Sequence, residues 1–154
     1  MEKLDLMIDD KFIFGSVLVV SNQMDTLLGR ELKEHDLTTK QWLLIIVVEN
    51  SFEYDPSIKE VANAMGSSHQ NVKQVALKLE KKGFLRLEKD KNDARVLRIK
   101  LTDRIDAFAK ESQLKAENFT QKLFNNISKE EMATTRLLLE KMLFNLAEME
   151  KEIK

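Results

Sequence analysis

Six polar side chains, Ser68, His69, Gln70, Asn71, Lys73 and Gln74, fall at the start of one segment, SHQNVKQVALKLEKK (68–82). The interleaved Val72, Val75, Ala76 and Leu79 recur at helical spacing, so the segment reads as an amphipathic helix with its polar face outward. Ser68 is of the type that caps a helix N-terminus. Gln and Asn carry paired donor and acceptor groups that match the N6/N7 edge of adenine, and Lys reaches guanine or a phosphate. Singly, each is an ordinary exposed residue. Together, at the start of one helix, they suit the reading of base edges in a DNA major groove.

A second group lies just downstream, with Lys89, Lys91 and Asp93-Ala94-Arg95 around the tip KNDA of a candidate hairpin. An Arg at such a tip can enter a minor groove, where the negative potential is strongest when the groove is narrow. An Asp two residues earlier can hold the guanidinium as a bidentate pair. Lys89 and Lys91 suit phosphates. The bland alternative is a surface ion pair that steadies a turn, worth ~0–1 kcal/mol.

The elements that must position these groups are legible around them. SIKEVANAM (57–65) reads as a short helix opened by a Ser57/Glu60 capping box, and Gly66 separates it from the next helix. Gly83 ends that second helix. FLRLEKD and RVLRIKL then alternate apolar and polar residues as two strands. A helix-turn-helix followed by a β-wing results. Upstream, a first helix is expected from about Asp9 to about Glu34, with a wide apolar face from Phe12 to Leu28. Thr38 and Gln41 make a capping box for a second helix, with Leu37 and Trp42 as its hydrophobic staple. The apolar run from Trp42 to Val48 makes that helix central to the core. Two long helices, about 103–125 and 129–150, fill the last third, the latter opened by Ser128 and Glu131. Leu139, Met142, Leu146, Met149 and Ile153 recur at spacings of three and four, a coiled-coil-like seam that fits an intramolecular core or, as the favoured reading, a dimer interface formed with the first helix.

The expected fold class is therefore mainly α with a small β-wing, in one chain of 154 residues. Residues 37–102 are the expected winged-helix lobe. Residues 1–36 and 103–154 are the expected helical dimerisation region.

Charge supports the same division. The chain carries a net charge of −1, yet residues 67–102 hold ten Lys/Arg against four Asp/Glu. Residues 1–36 hold four against eight. Positive charge concentrated on the second helix and wing is the footprint of a phosphate-binding face.

LTTKQWLLI (37–45), VANAMGSSHQNV (61–72), LEKKGFLRLEKDKNDAR (79–95) and IKLT (99–102) resemble the MarR family of winged helix-turn-helix transcriptional regulators. The resemblance covers most of the chain in order and spacing. It implies a homodimer that binds pseudo-palindromic operators in double-stranded DNA, usually as a repressor. Release by a small amphipathic or phenolic effector is often part of the pattern. Phe12, Phe14, His35, Trp42 and Ile105 are then the candidate pocket residues. Two departures from the family pattern stand out. Leu87 and Glu88 stand where basic residues are common on the first wing strand, and Ile105 stands where a glycine is common.

Other function classes have less to stand on. There is no Cys, so disulfides, thiol sensing and Cys-ligated zinc are excluded. His35 and His69 are the only histidines, which leaves no His cluster for a metal. No phosphate-cradling Gly loop, nucleophile elbow or His-x-x-x-His pattern occurs, so neither catalysis nor a cofactor is expected. A winged-helix module that docks a protein partner through its helical region is the alternative, and the basic bias of 67–102 argues against it. The apolar run LLIIVV (43–48), preceded by Trp42, is short for a membrane span, and MEKLDLMIDD is too acidic for a secretory or transit signal. The expectation is a cytoplasmic protein with no membrane partner.

Overall fold

A computed structural model describes residues 8–153. Six helices and one two-stranded sheet follow in the order α1 (Asp9–Leu32), α2 (Thr39–Ser51), α3 (Ile58–Ala64), α4 (His69–Lys81), β1 (Leu85–Lys89), β2 (Leu97–Leu101), α5 (Arg104–Leu123) and α6 (Lys129–Glu152). A 3-10 turn, Lys33–His35, closes α1 where the sequence suggested continuous helix. Asp36 then takes the left-handed conformation at φ 55°, which reverses the chain into α2. The mainly helical class with a small wing is as the sequence indicated. Two compact units divide at Lys115 and Ala116.

The helix starts follow from local chemistry. Thr38, Ser57 and Ser128 each accept the N3 backbone N–H, and Gln41, Glu60 and Glu131 each return the bond to the cap. Both capping partners satisfy backbone donors that have no partner inside the helix. Gly66 and Gly83 stand at φ 59° and 78°, where a Cβ would be strained.

The first unit has one core. Leu44, Ile45 and Val48 of α2 pack with Ile58 and Val61 of α3 and with Val72, Ala76 and Leu79 of α4. Phe84, Leu85 and Ile99 close it from the wing, and Ile105 and Phe108 from α5. Only one face of the run 42–48 is fully buried, and Leu43 is exposed. Gln41 is the buried polar residue, and it is satisfied. Its Oε1 accepts from the Thr38 N–H at 3.1 Å and from Lys82 Nζ at 3.2 Å.

The wing pairs Leu85 with Leu101 through Lys89 with Leu97, antiparallel. Strand β2 gains a neighbour on its other edge, where Ser57 bridges Arg98 and the Ile99 N–H donates to the Pro56 carbonyl at 2.8 Å. On the β1 edge, Glu80 of α4 accepts the Leu87 N–H at 2.7 Å. The hairpin is therefore held on both sides.

The outer helices are different. Helix α1 exposes Phe14, Leu18, Val19, Val20 and Leu27. By length and composition alone, Asp9–His35 is long and apolar enough to cross a membrane. Helix α6 has no buried residue among those described and exposes Leu137, Leu143, Phe144, Leu146 and Met149.

Candidate nucleic-acid interface

Helix α4 divides as its sequence pattern requires. Val72, Ala76 and Leu79 are buried, with Val75 half-buried. His69, Gln70, Asn71, Lys73 and Gln74 are exposed. Ser68 caps the helix, its Oγ accepting from the Asn71 N–H at 3.2 Å. The five polar side chains thus share the outer face of a helix whose inner face is fixed in the core. The helix N-terminus also offers free N–H groups and positive potential to an anion such as a phosphate.

The far end of α4 is tied down. Lys82 Nζ donates to the Asp36 carbonyl and lies 3.3 Å from its carboxylate. Arg104 Nη1 donates to the Lys82 carbonyl at 2.5 Å, and its guanidinium lies 4.6 Å from the centroid of the Phe84 ring. With Glu80 engaged on β1, the helix cannot rotate without breaking polar contacts at its last turn.

The wing tip is ordered by two aspartates. Asp90 Oδ1 accepts the N–H groups of Asn92 at 2.9 Å and Asp93 at 3.0 Å, and its Oδ2 accepts from Arg98 Nε. The Arg98 guanidinium and then these N–H groups pull the Asp90 carboxyl down to about 2. Asp93 holds Arg95 as a fork, with Oδ1 to Nε at 3.0 Å and Oδ2 to Nη2 at 3.1 Å. This contact lowers the Asp93 pKa in turn. The Arg95 side chain remains 90% exposed, a charged group aimed but uncovered. Lys89 and Lys91 are exposed beside it. Leu87 and Glu88 serve the wing itself: Leu87 is half-buried against the core, and Glu88 lies 4.0 Å from Arg86.

The candidate ligand residues are more scattered in environment. Phe14 is two-thirds exposed and Phe12 is also exposed, whereas Trp42 is half-buried and Ile105 belongs to the core. The His35 ring meets Phe108 edge-on at 5.1 Å and its Nδ1 lies 3.8 Å from Glu111. Its Nε2 is buried with no hydrogen-bond partner in the structure. A cleft of about 380 Å³ between Asp25, Gly29, Lys33, Asp36, Thr38 and Lys82 contains none of these five residues in its lining. Of the expected interface residues, Leu139, Leu146, Met149 and Ile153 are exposed and Met142 is half-buried. No group of three or more metal-ligating side chains occurs among the described residues.

Arg98, Asp90, Glu60 and Glu80 are the residues that sequence reasoning did not assign to this site. Glu60 was visible as a helix cap. Asp90 bonds its near neighbours Asn92 and Asp93, a local turn signal, whereas Arg98 reaches Asp55 across 43 residues and left no local pattern.

Known proteins share this fold. The family model described as "MarR family" matches residues 35–96. The transcriptional repressor MprA of Escherichia coli K12 is 26% identical over 124 residues, 80% of this chain and 70% of that protein. A MarR protein from Peptoclostridium difficile superposes with a TM-score of 0.82 at 23% identity, covering 97% of each chain. MepR of Staphylococcus aureus, solved as a complex with DNA, superposes with a TM-score of 0.77 at 21% identity, over 91% of this chain and 99% of that one. With its wing, its capped helix α4 and the matched span 35–96, the chain has the winged-helix fold of these proteins and is similar to the MarR family over that span.

Proposed function

We propose that the protein is a repressor that binds a pseudo-palindromic operator in double-stranded DNA as a homodimer. The observation that carries this reading is the meeting of three features on one lobe. These are the exposed polar face of capped α4, the aimed Arg95 fork, and the local excess of positive charge over 67–102. Their complement is negative and grooved, as duplex DNA is. The relative MprA is named a transcriptional repressor, and the structure of MepR is a DNA complex, which supports the same reading here.

In this mechanism α4 enters the major groove, with Gln70 and Asn71 at base edges and Lys73 at a base or phosphate. His69 and Gln74 flank them, and Ser68 holds the first turn in shape. The wing lies alongside, placing Arg95 at the minor groove and Lys89 and Lys91 at phosphates. The lobe 37–102 does the reading, while 1–36 and 103–154 make the dimer. The exposed apolar side chains of α1 and α6 are covered by the second copy, with Leu139, Met142, Leu146, Met149 and Ile153 in the seam. This cover also accounts for the membrane-like composition of α1 without a membrane. A two-fold dimer reads two half-sites about one helical turn apart.

Release by a small amphipathic or phenolic molecule completes the reading, with Phe12, Phe14, His35, Trp42 and Ile105 as its contacts. The partnerless Nε2 of His35 beside the Phe108 ring supports a polar contact in that group. No catalysis is involved, and the place of action is the cytoplasm.

Selection of bound fragments from random and genomic DNA tests this directly. The expected product is a pseudo-palindrome with half-sites about one turn, roughly 10 base pairs, apart. Absence of any enriched sequence at moderate salt would remove sequence-specific binding.

A further inference from the structure

Strand β2 carries Arg98, whose side chain leaves the hairpin and joins separate segments. Nε donates to Asp90 Oδ2 at the base of the wing tip. Nη1 donates to the Asp55 carbonyl at 2.9 Å, in the α2–α3 connection. The same nitrogen lies 3.9 Å from Glu60 Oε2, in the first turn of α3.

Both ends of this bridge are fixed. Asp90 holds two backbone N–H groups of the tip, at Asn92 and Asp93. Glu60 Oε2 accepts from the Ser57 N–H and from Ser57 Oγ at 2.7 Å each, and Oε1 accepts from Tyr54 Oη at 2.8 Å. The Asp90 side chain is 13% exposed and that of Arg98 36%, so the carboxylate is the more shielded end of a pair that still reaches water.

We propose that Arg98 is a positioning residue for DNA binding: it ties the wing-tip turn to the N-terminus of α3 and so sets where Arg95 stands relative to α4. The proposal rests on the reading of the wing as a DNA contact. The paired strands stop at Lys89 and Leu97, and an unsupported two-stranded ribbon is marginally stable in water, so the tip beyond them needs an anchor to keep one orientation. Backbone pairing to the rest of the lobe reaches the hairpin only along β2, where Pro56 and Ser57 meet Ile99 and Arg98. Arg98 extends that anchor to the turn from which Arg95 projects. Its planar fork serves Asp90, Asp55 and Glu60 at once, and a Lys ammonium lacks that geometry. Holding the tip in place before DNA arrives removes ordering entropy that binding would otherwise have to overcome.

A double-mutant cycle between Arg95 and Arg98 separates positioning from general stability. The assay is a titration of the full-length chain against the selected operator at fixed salt, with circular dichroism for the fold. Arg98→Met keeps most of the stem and removes the fork; it should weaken binding about tenfold, which is ~1.4 kcal/mol. Arg95→Ala should weaken the parent by a similar factor, yet weaken Arg98→Met less than about twofold, because the two residues act as one device. Arg98→Lys should recover only part of the loss, and it carries the same cycle if Arg98→Met fails to fold. In the free protein, the Asn92 and Asp93 amides should exchange faster in the variant, while those of Val72 and Leu79 stay protected. Independent losses at Arg95 and Arg98 in a chain that binds DNA overturn the proposal, as does unchanged exchange at the tip. Failure of the wild-type chain to select any DNA instead overturns the functional reading beneath it.

Discussion

Replacing Leu139 and Leu146 together should convert the protein from dimer to monomer. In the single chain Leu139 is 43% exposed and Leu146 57% exposed. Full burial of a leucine contributes ~1.5–3 kcal/mol, so covering the exposed half of each contributes ~0.7–1.5 kcal/mol. A two-fold interface counts every side chain twice, giving four such contributions, about 3–6 kcal/mol in all. Since each 1.4 kcal/mol is a factor of ten, Ala at both positions should raise the dimer Kd roughly 10²–10⁴-fold. Asp at both should do more, because a dimer would also have to bury unpaired charge. Sedimentation or light scattering over a concentration series reads the result, with 17.9 kDa marking one chain and twice that marking the dimer. Circular dichroism guards against loss of fold. A wild-type mass of 17.9 kDa throughout the micromolar range would refute the reasoning, as would a double variant that associates as tightly as wild type.

On the selected operator, Gln70→Ala or Asn71→Ala should cost ~1–3 kcal/mol where the residue makes a bidentate base contact, whereas Lys73→Ala at a phosphate should weaken all sequences alike and flatten the salt dependence by ~1. Unchanged affinity in the triple Ala variant would take α4 out of the mechanism. Arg95→Ala should weaken binding, Arg95→Lys should restore part of it, and Asp93→Ala should have the smaller effect because it removes orientation and leaves the charge. Anisotropy titrations should show the largest loss on operators with A·T-rich flanks, and equal loss on all flanks would place Arg95 elsewhere than a narrow minor groove. The Asp90 carboxyl sits at about 2 against an ordinary 3.8, so its contribution to stability is complete above 3.8 and disappears as pH falls through about 2. A carboxyl NMR titration should place its midpoint near 2, moving toward 3.8 in Arg98→Met; a wild-type midpoint of 3.8 would mean that the tip lacks this contact.

Most of the fold was legible because it is encoded locally. The three capping boxes at Thr38, Ser57 and Ser128 marked helix starts, and Gly66 and Gly83 marked two ends. The alternation of Leu85, Leu87, Ile99 and Leu101 marked the strands, and all four cross-strand positions fall in the paired register. The polar face of α4 and the Asp93–Arg95 fork were also readable, since both use neighbours in sequence. The end of α1 was less so: a 3-10 turn over Lys33–His35 and a left-handed Asp36 depend on Lys82, 46 residues away. The second helix is central to the core, as its apolar run indicated, but its orientation there was not legible. Seven consecutive apolar residues cannot say which face meets α4, and the structure leaves Leu43 outside. The Arg98 contacts were invisible because Asp55 lies 43 residues earlier, and no spacing rule connects the two.

Lys82 has a consequence for how this chain can be rebuilt. Its ammonium meets Asp36, where the chain enters the winged lobe, and its carbonyl meets Arg104, just after the chain leaves it. Entry and exit therefore converge on one residue, and the segment between them forms a closed excursion. Segments with adjacent ends are the ones that tolerate transplantation, here provided that the core contacts of Leu32, Ile105 and Phe108 are kept. Residues 37–103 are in this sense a cassette. A lobe of different sequence preference could replace them, given a Lys at position 82 and its two partners. The surrounding helices would then be free to diverge wherever they do not enter the lobe's core, and the matched span of 35–96 begins at this boundary.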